Sequence, residues 1–339
     1  MGPLTRAAVS LGEFDIIARY FNREGLAATS AHPGVRVGIG DDCALIQTDL
    51  QHELALSLDV LVEGVHFLKD APADEVARRA MAVNLSDLAA TGATPLGFTL
   101  GLTLPAADEA WLQKFSDGLL ESAQRYGCPL LGGNLARGPL QIAIQVQGTV
   151  PRGCALLRSG ARVGDLIYVS GALGGAGLAL SWLLGELTAD AALAQRLAAY
   201  HYRPEPRLAL GQALVGRASA AQDISDGLLA DLGHLTRASG IGARVHTDRI
   251  PVAPDAIALL NETDALALAL SAGEDYELVF TLPPVCGAEV EELAAAGGVR
   301  LTCVGEIVSG AGVQLVDAHG RTLPFAQKGW EHFSSRGEQ

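Results

Sequence analysis

The side chains best suited to chemistry are acids gathered in short clusters. They are Gly40-Asp41-Asp42, Ser57-Leu58-Asp59, Asn84-Leu85-Ser86-Asp87, Asp223-Ile224-Ser225-Asp226-Gly227 and Gly273-Glu274-Asp275. Each ends an apolar run or opens a helical one. Clustered carboxylates repel one another, so a folded chain keeps them together with solvent, cationic partners or bound cations. Taken singly, each cluster also has a structural explanation. Asp226 ahead of GLLADLGHL can cap a helix, Asp41 or Asp42 can form an Asx-turn after Gly40, and Asp59 can be a solvated strand end. Taken together, they supply hard carboxylate, hydroxyl and amide oxygens, the donor set that suits Mg²⁺ holding a polyphosphate.

The cationic side of such a site is sparse. The lysines are Lys69, Lys114 and Lys328, and none sits in a GxxxxGK[ST] loop, so a P-loop is absent. Metals and arginines would have to take that lysine's place. Arg158, in LLRSGA, can grip phosphate oxygens with its guanidinium fork or form an ordinary surface ion pair. His66, in EGVHF, can contact an anion or cap an aromatic cluster. Gly132-Gly133-Asn134 and the run from Gly171 to Gly177 follow apolar segments, where backbone can approach a ligand closely. The second run lacks the spacing of a dinucleotide-binding GxGxxG, which leaves a helix N-terminus beside phosphate or simple tight packing.

Short β-branched or apolar runs alternate with Ala/Leu-rich helical stretches, the pattern of α/β layers rather than of a bundle or sandwich. In the first half, strands are expected at 55–62, 96–104 and 141–150, with helices from Pro72 to Thr91 and from Asp108 to Tyr126. The segment PRGCALLRSGARVGD (151–165) is rich in Gly and Arg and reads as an interdomain crossing. This predicts an N-terminal domain over 1–150 and a C-terminal α/β domain over 151–339. In the second domain, strands are expected at 166–171 and near 243–247, 277–282 and 300–307. Helices are expected near 176–185, 190–200, 206–217 and 226–239.

Composition bounds the partners. The chain has 339 residues, 49% of them apolar, enough for two ordinary cores. Its formal charge of −14 opposes attraction to nucleic acid or to an anionic membrane surface. No long uncharged apolar stretch and no apolar leader are evident, so a cytoplasmic location is expected. The five cysteines are scattered without a CxxC pair and are expected to be reduced and mostly buried. Residues 1–10 and 334–339 are expected to be weakly packed.

The segments VGIGDDCAL, LSLDVLVEGVHF, AVNLSDLAATGA, LLGGN, LLRSGARVGD, DISDGLLADLGH, SAGEDYELVF and KGWEHF occur in an order and spacing similar to the thiamine-monophosphate kinase family. That family belongs to the superfamily of aminoimidazole ribonucleotide synthetase and selenophosphate synthetase. The resemblance runs from about Gly12 to Phe333. It implies an α/β (α+β) two-domain fold, with an N-terminal mixed sheet forming a barrel-like homodimer interface. It implies ATP as phosphoryl donor, Mg²⁺ as cofactor, and thiamine monophosphate as acceptor, giving thiamine diphosphate. By this similarity Asp41, Asp42, Ser57, Asp59, Asp87, Asp223 and Asp226 are metal ligands, while Gly133, Arg158 and Ser225 contact ATP. Asp42, Asp226 and Arg158 carry the transfer, and His66, Glu274 and Trp330 contact the acceptor. The family pattern commonly has Asp where this chain has Asn134, whose amide oxygen can still ligate a metal or line the nucleotide site, or can hold a turn. Another ATP-using enzyme of the superfamily, or a non-catalytic binder of nucleotide or thiamine phosphate, is the alternative reading. Residues 1–40 lack the reactive Cys and nearby Lys of selenophosphate synthetases, and the chain ends SSRGEQ rather than in a cysteine-bearing tail.

Overall fold

The computed structural model describes residues 12–29, 31–39, 43–284 and 289–324. Helix α1 (Glu13–Ile16) runs into a π-helical turn, and β1 (Val35–Val37) pairs antiparallel with β2 (Leu45–Ile46). There follow β3 (His52–Val62), α2 (Ala73–Thr91), β4 (Thr94–Leu104), α3 (Glu109–Tyr126), β5 (Leu130–Arg137) and β6 (Gln141–Pro151). The second half begins with β7 (Leu166–Ser170), α4 (Gly175–Leu183), α5 (Ala191–Tyr202), α6 (Leu208–Leu214), β8 (Ala220–Asp223) and α7 (Leu228–Ser239). It continues through β9 (Gly242–His246), α8 (Pro254–Leu259), α9 (Glu262–Ser271), β10 (Leu278–Leu282), α10 (Val290–Gly297), β11 (Leu301–Val308), β12 (Gly312–Val316) and β13 (Thr322–Leu323). The fold is mixed α/β in two compact units. The first takes in 1–48, 58–81 and 95–147, and the second 49–57, 82–94 and 148–339.

In the first unit, the apolar spacing of α3 buries Leu112, Phe115 and Leu119. Its start is fixed by Asp108, whose carboxylate accepts from the N–H groups of Ala110 and Trp111, and its end by Gly127 in the left-handed region. Gly118 lets α3 lie against α2: a Cβ there would stand 2.4 Å from the Asp74 carbonyl oxygen. The four-stranded sheet has the order β3-β6-β4-β5, with β4 and β5 parallel. It is open, and no closed barrel forms among the described residues. Four strands leave two edges, and β3 is one of them.

The second unit carries a seven-stranded sheet of order β13-β12-β9-β11-β7-β10-β8. Its pairings are antiparallel except for β12 with β9. Both faces are buried at its centre, around β7 and β10. Ile167 and Val169 of β7 and Val279 of β10 join one apolar cluster with Leu232 and Leu235 of α7. The alternate residues Tyr168, Leu278 and Phe280 join another with Leu210, Leu214 and Leu293. That two-sided burial explains why β10 reads as an unbroken apolar run rather than an alternating one.

The predicted strands and helices appear with bounds shifted by a few residues. The expected helix at 206–217 shortens to Leu208–Leu214, and no expected range covers α1, β1, β2, β5, β8, α8, α9, α10, β12 or β13. Gly132, Gly133 and Asn134 lie inside β5 rather than after a strand, so Asn134 does not hold a turn. Cys128 is buried and Cys303 half-buried, but Cys43 and Cys154 are exposed, so burial of the thiols is only partial. Among the described residues no helix is long and apolar enough to cross a membrane. Residues 1–10 and 334–339 lie outside the described residues.

Candidate active site

In the second unit, the middle of β3, the C-terminal half of α2 and the tip of β8 converge on a cleft of about 440 Å³. Ser57, Asp87, Arg158, Ser159 and Asp223 are in its wall. The Ser57 hydroxyl donates to Asp87 at 2.5 Å, and the Ser86 hydroxyl donates to Asp223 at 2.8 Å. Two carboxylates are thus each oriented by a neighbouring serine. Burial pushes the Asp87 carboxyl above the usual aspartate range, while the Ser57 hydroxyl and the Arg158 charge pull it back. Asp223 is 5% exposed at the end of β8. Arg158 is exposed in the segment between β6 and β7, and its charge acts on Asp87, Asp231 and His234.

The turn after β8 carries Ser225 and Asp226, both half-buried. Asp226 does not cap α7: the cap position is Gly227, at a φ of 107° that suits glycine. The loop before β10 docks on this turn. The Glu274 N–H donates to the Ser225 carbonyl at 2.8 Å, and the Tyr276 N–H donates to the Ile224 carbonyl at 2.9 Å. Gly273 permits the approach, since a Cβ there would lie 2.4 Å from the Ser225 oxygen. Glu274 and Tyr276 have φ of 72° and 50°, left-handed conformations that cost a non-glycine residue free energy unless the surroundings hold them.

Those surroundings are ionic and were not found from the sequence. Glu277 is buried and takes a bidentate pair from Arg207, with the Arg207 Nε at 2.7 Å and its second guanidinium nitrogen also bonded. Ser170 donates to the same carboxylate at 2.5 Å. Asp275 accepts from the N–H groups of Gly174 and Ala176 at 2.7 and 3.2 Å. The N-terminus of α4, one candidate phosphate cradle, is therefore filled by the protein's own carboxylate. Tight packing accounts for its glycines: a Cβ on Gly175 would meet the Tyr200 ring at 2.5 Å, and one on Gly177 would meet Ala272 at 2.5 Å.

Asp231 is another residue missed from the sequence. Asp226, Asp231 and His234 offer one ligand atom each within 4.8 Å of one another. Burial pushes the Asp231 carboxyl up to about 7; N–H bonds from Asp226 and Ser225 oppose this, and the Asp226 charge adds to it. Burial, Arg237 and Arg158 lower His234. The available signal was a lone acid within the apolar helical run LLADLGHL, which reads equally well as a first-turn residue matched to the helix dipole.

The first unit holds Asp59, His66, Gly133 and Asn134. Asp59 is half-buried on β3. The His66 Nδ1 accepts the Val62 N–H at 3.0 Å, which leaves the neutral ring its proton on Nε2. Gly133 and Asn134 are exposed on β5, and the Asn134 amide donates to the Leu135 carbonyl at 3.4 Å. Asp41, Asp42 and Trp330 lie outside the described residues.

The fold and this acid-lined site define a class, that of the AIR synthase related proteins. Its N-terminal domain profile matches residues 40–150 and its C-terminal domain profile matches 162–318. Within that class, the chain is 44% identical over 329 residues to the thiamine-monophosphate kinase of Salmonella typhimurium, covering 96% of this chain and 100% of the relative. The crystal structure of thiamine-monophosphate kinase from Stenotrophomonas maltophilia superposes with a TM-score of 0.80 at 40% identity, covering 91% of this chain and 97% of that one. A structure described as AaThiL complexed with AMPPCP and TMP superposes with a TM-score of 0.75 at 30% identity, covering 98% and 100%. The chain belongs to the thiamine-monophosphate kinase family.

Proposed function

We propose that the chain transfers the γ-phosphoryl group of ATP to thiamine monophosphate, giving thiamine diphosphate and ADP. The observation that carries this reading within the family is the paired Ser57–Asp87 and Ser86–Asp223 contacts in one cleft beside Arg158. All-oxygen donors of this kind fit Mg²⁺ better than a softer metal. Asp41, Asp42, Ser57, Asp59, Asp87, Asn134, Asp223 and Asp226 are the residues assigned to hold it. Bound Mg²⁺ would supply positive charge against the phosphate oxygens.

The acceptor is itself a phosphate, anionic at neutral pH, so the chain need not supply a strong general base. A terminal oxygen of thiamine monophosphate bonds to the γ-phosphorus while the bond from that phosphorus to the β,γ-bridging oxygen breaks, and ADP leaves with that electron pair. The protein's work is alignment and charge. Arg158 and Ser225, with the Gly133-Asn134 backbone, are assigned to ATP; Asp42, Asp226 and Arg158 are assigned to the transfer. His66, presenting an Nε2–H donor, is assigned with Glu274 and Trp330 to the acceptor. Residues 1–150 are proposed to bind ATP and metal and to dimerise, and 151–339 to complete the site.

A homodimer through the N-terminal sheet is part of this reading. On the edge strand β3, Leu54, Leu56, Leu58 and Val60 alternate along one face and are 46%, 56%, 56% and 37% exposed. Transfer from ATP made chiral at the γ-phosphorus tests the chemistry. Inversion in the thiamine diphosphate formed is expected for a single direct displacement, and retention would require a phosphoenzyme.

A further inference from the structure

Asp231 is 1% exposed in the first turn of α7, and it is tied to the preceding turn rather than to its own helix end. Its Oδ2 accepts the backbone N–H groups of both Ser225 and Asp226, each at 3.0 Å. Its Oδ1 accepts the side-chain amide of Gln222 at 2.8 Å. One carboxylate therefore spans the turn from the end of β8 to the residue before the helix cap. On the other side of the same turn, the Glu274 and Tyr276 N–H groups donate to the carbonyls of Ser225 and Ile224.

We infer that Asp231 is a positioning residue that sets the backbone from which Ser225 and Asp226 present their side chains, a role that rests on the assignment of those two to nucleotide and metal. Three N–H donors already occupy its oxygens, which is the geometry of a backbone clamp rather than of a metal ligand. A clamp needs acceptors at fixed points, not a charge. An asparagine satisfies it, because its amide oxygen can accept the two backbone N–H groups while its NH₂ faces Gln222, whose own amide turns to present its oxygen. A glutamate keeps the charge but displaces the oxygens by a methylene, and so shifts the turn.

The charge-keeping and geometry-keeping substitutions should therefore part company. With the full-length protein, ADP formation is followed at saturating ATP and thiamine monophosphate while Mg²⁺ is titrated, alongside the melting temperature. Asp231→Asn is expected to stay within about twofold of wild type in half-saturating Mg²⁺, and Asp231→Glu to need about tenfold more, the scale of losses from groups that orient ligands. The acceptor's KM should hardly move in either. Near-normal Asp231→Glu with a crippled Asp231→Asn would overturn the inference and make the charge, as in a ligand, the operative property. Should Asp231→Glu fail to fold, a crippled but folded Asp231→Asn overturns it alone. Asp226→Asn serves as the independent control: a wild-type Mg²⁺ dependence there would remove the underlying assignment, whatever Asp231 does.

Discussion

The Ser57 hydroxyl donates a 2.5 Å hydrogen bond to the Asp87 carboxylate, joining the middle of β3 to a carboxyl that burial raises above the usual aspartate range. Because the bond favours the ionised form, Ser57→Ala should let the Asp87 pKa rise further. A hydrogen bond to a charged group stabilises that charged form, so the acid limb of the rate profile should move to higher pH in the variant. Rate against pH at saturating Mg²⁺ measures this; an unmoved acid limb would show that the hydroxyl does not tune Asp87.

The two glycines of β5 should separate fold from function. A Cβ on Gly133 would lie 2.0 Å from the Leu100 carbonyl oxygen of β4, whereas nothing lies within 4 Å of one on Gly132. Gly133→Ala should force the paired strands apart and cost at least ~2 kcal/mol, while Gly132→Ala leaves the melting temperature near wild type. Denaturant titration of both checks this. If Gly132→Ala kept its stability and lost ATP affinity, the empty space there would be read as room for a ligand.

Stability should carry the signature of Asp275, which burial raises from the ordinary 3.8 to about 7, against the N–H groups of Gly174 and Ala176. The folded state then holds a proton that the unfolded state has released, so this contribution is fully present below about 3.8 and is lost as pH rises through about 7. Asp275→Asn removes the titration and one cap hydrogen bond, about 1 kcal/mol at every pH. Wild type should therefore lose stability relative to the variant as pH rises from about 4 to about 7, passing from the more stable to the less stable of the two, and the difference should then level off. A pH-independent difference would mean that Asp275 stays ionised throughout.

The apolar stripe on β3 predicts a dimer that charge can split. Leu54→Lys places a cation on an exposed edge-strand position away from Ser57 and Asp59, and it should shift the sedimentation profile from dimer toward monomer with little change in far-UV dichroism. A wild-type monomer at micromolar concentration would remove that face from the dimer reading.

What the sequence made legible follows from what local chemistry encodes. Helix α3 could be read from Asp108, Gly127 and the apolar spacing between them, because its caps and its buried face are both local. The acid clusters could be read because their residue types are unusual together. Asp231 and Glu277 could not, nor could the structural role of Asp275, since each matters through a partner distant in sequence or through the N–H groups of a turn: Arg207 lies 70 residues from Glu277, and Gly174 lies 101 from Asp275. The glycine-rich run before α4 suggested a phosphate site for the same reason, because only the fold reveals that Asp275 already fills the helix end. Strands β12 and β13 escaped because short strands have little periodicity to detect.

Following ADP release from ATP and Mg²⁺ with and without thiamine monophosphate, and identifying the product, measures the proposed transfer itself. ADP and thiamine diphosphate are expected in equal amounts, with negligible ADP when the acceptor is omitted. ADP release that ignores thiamine monophosphate, or none in its presence, would contradict it.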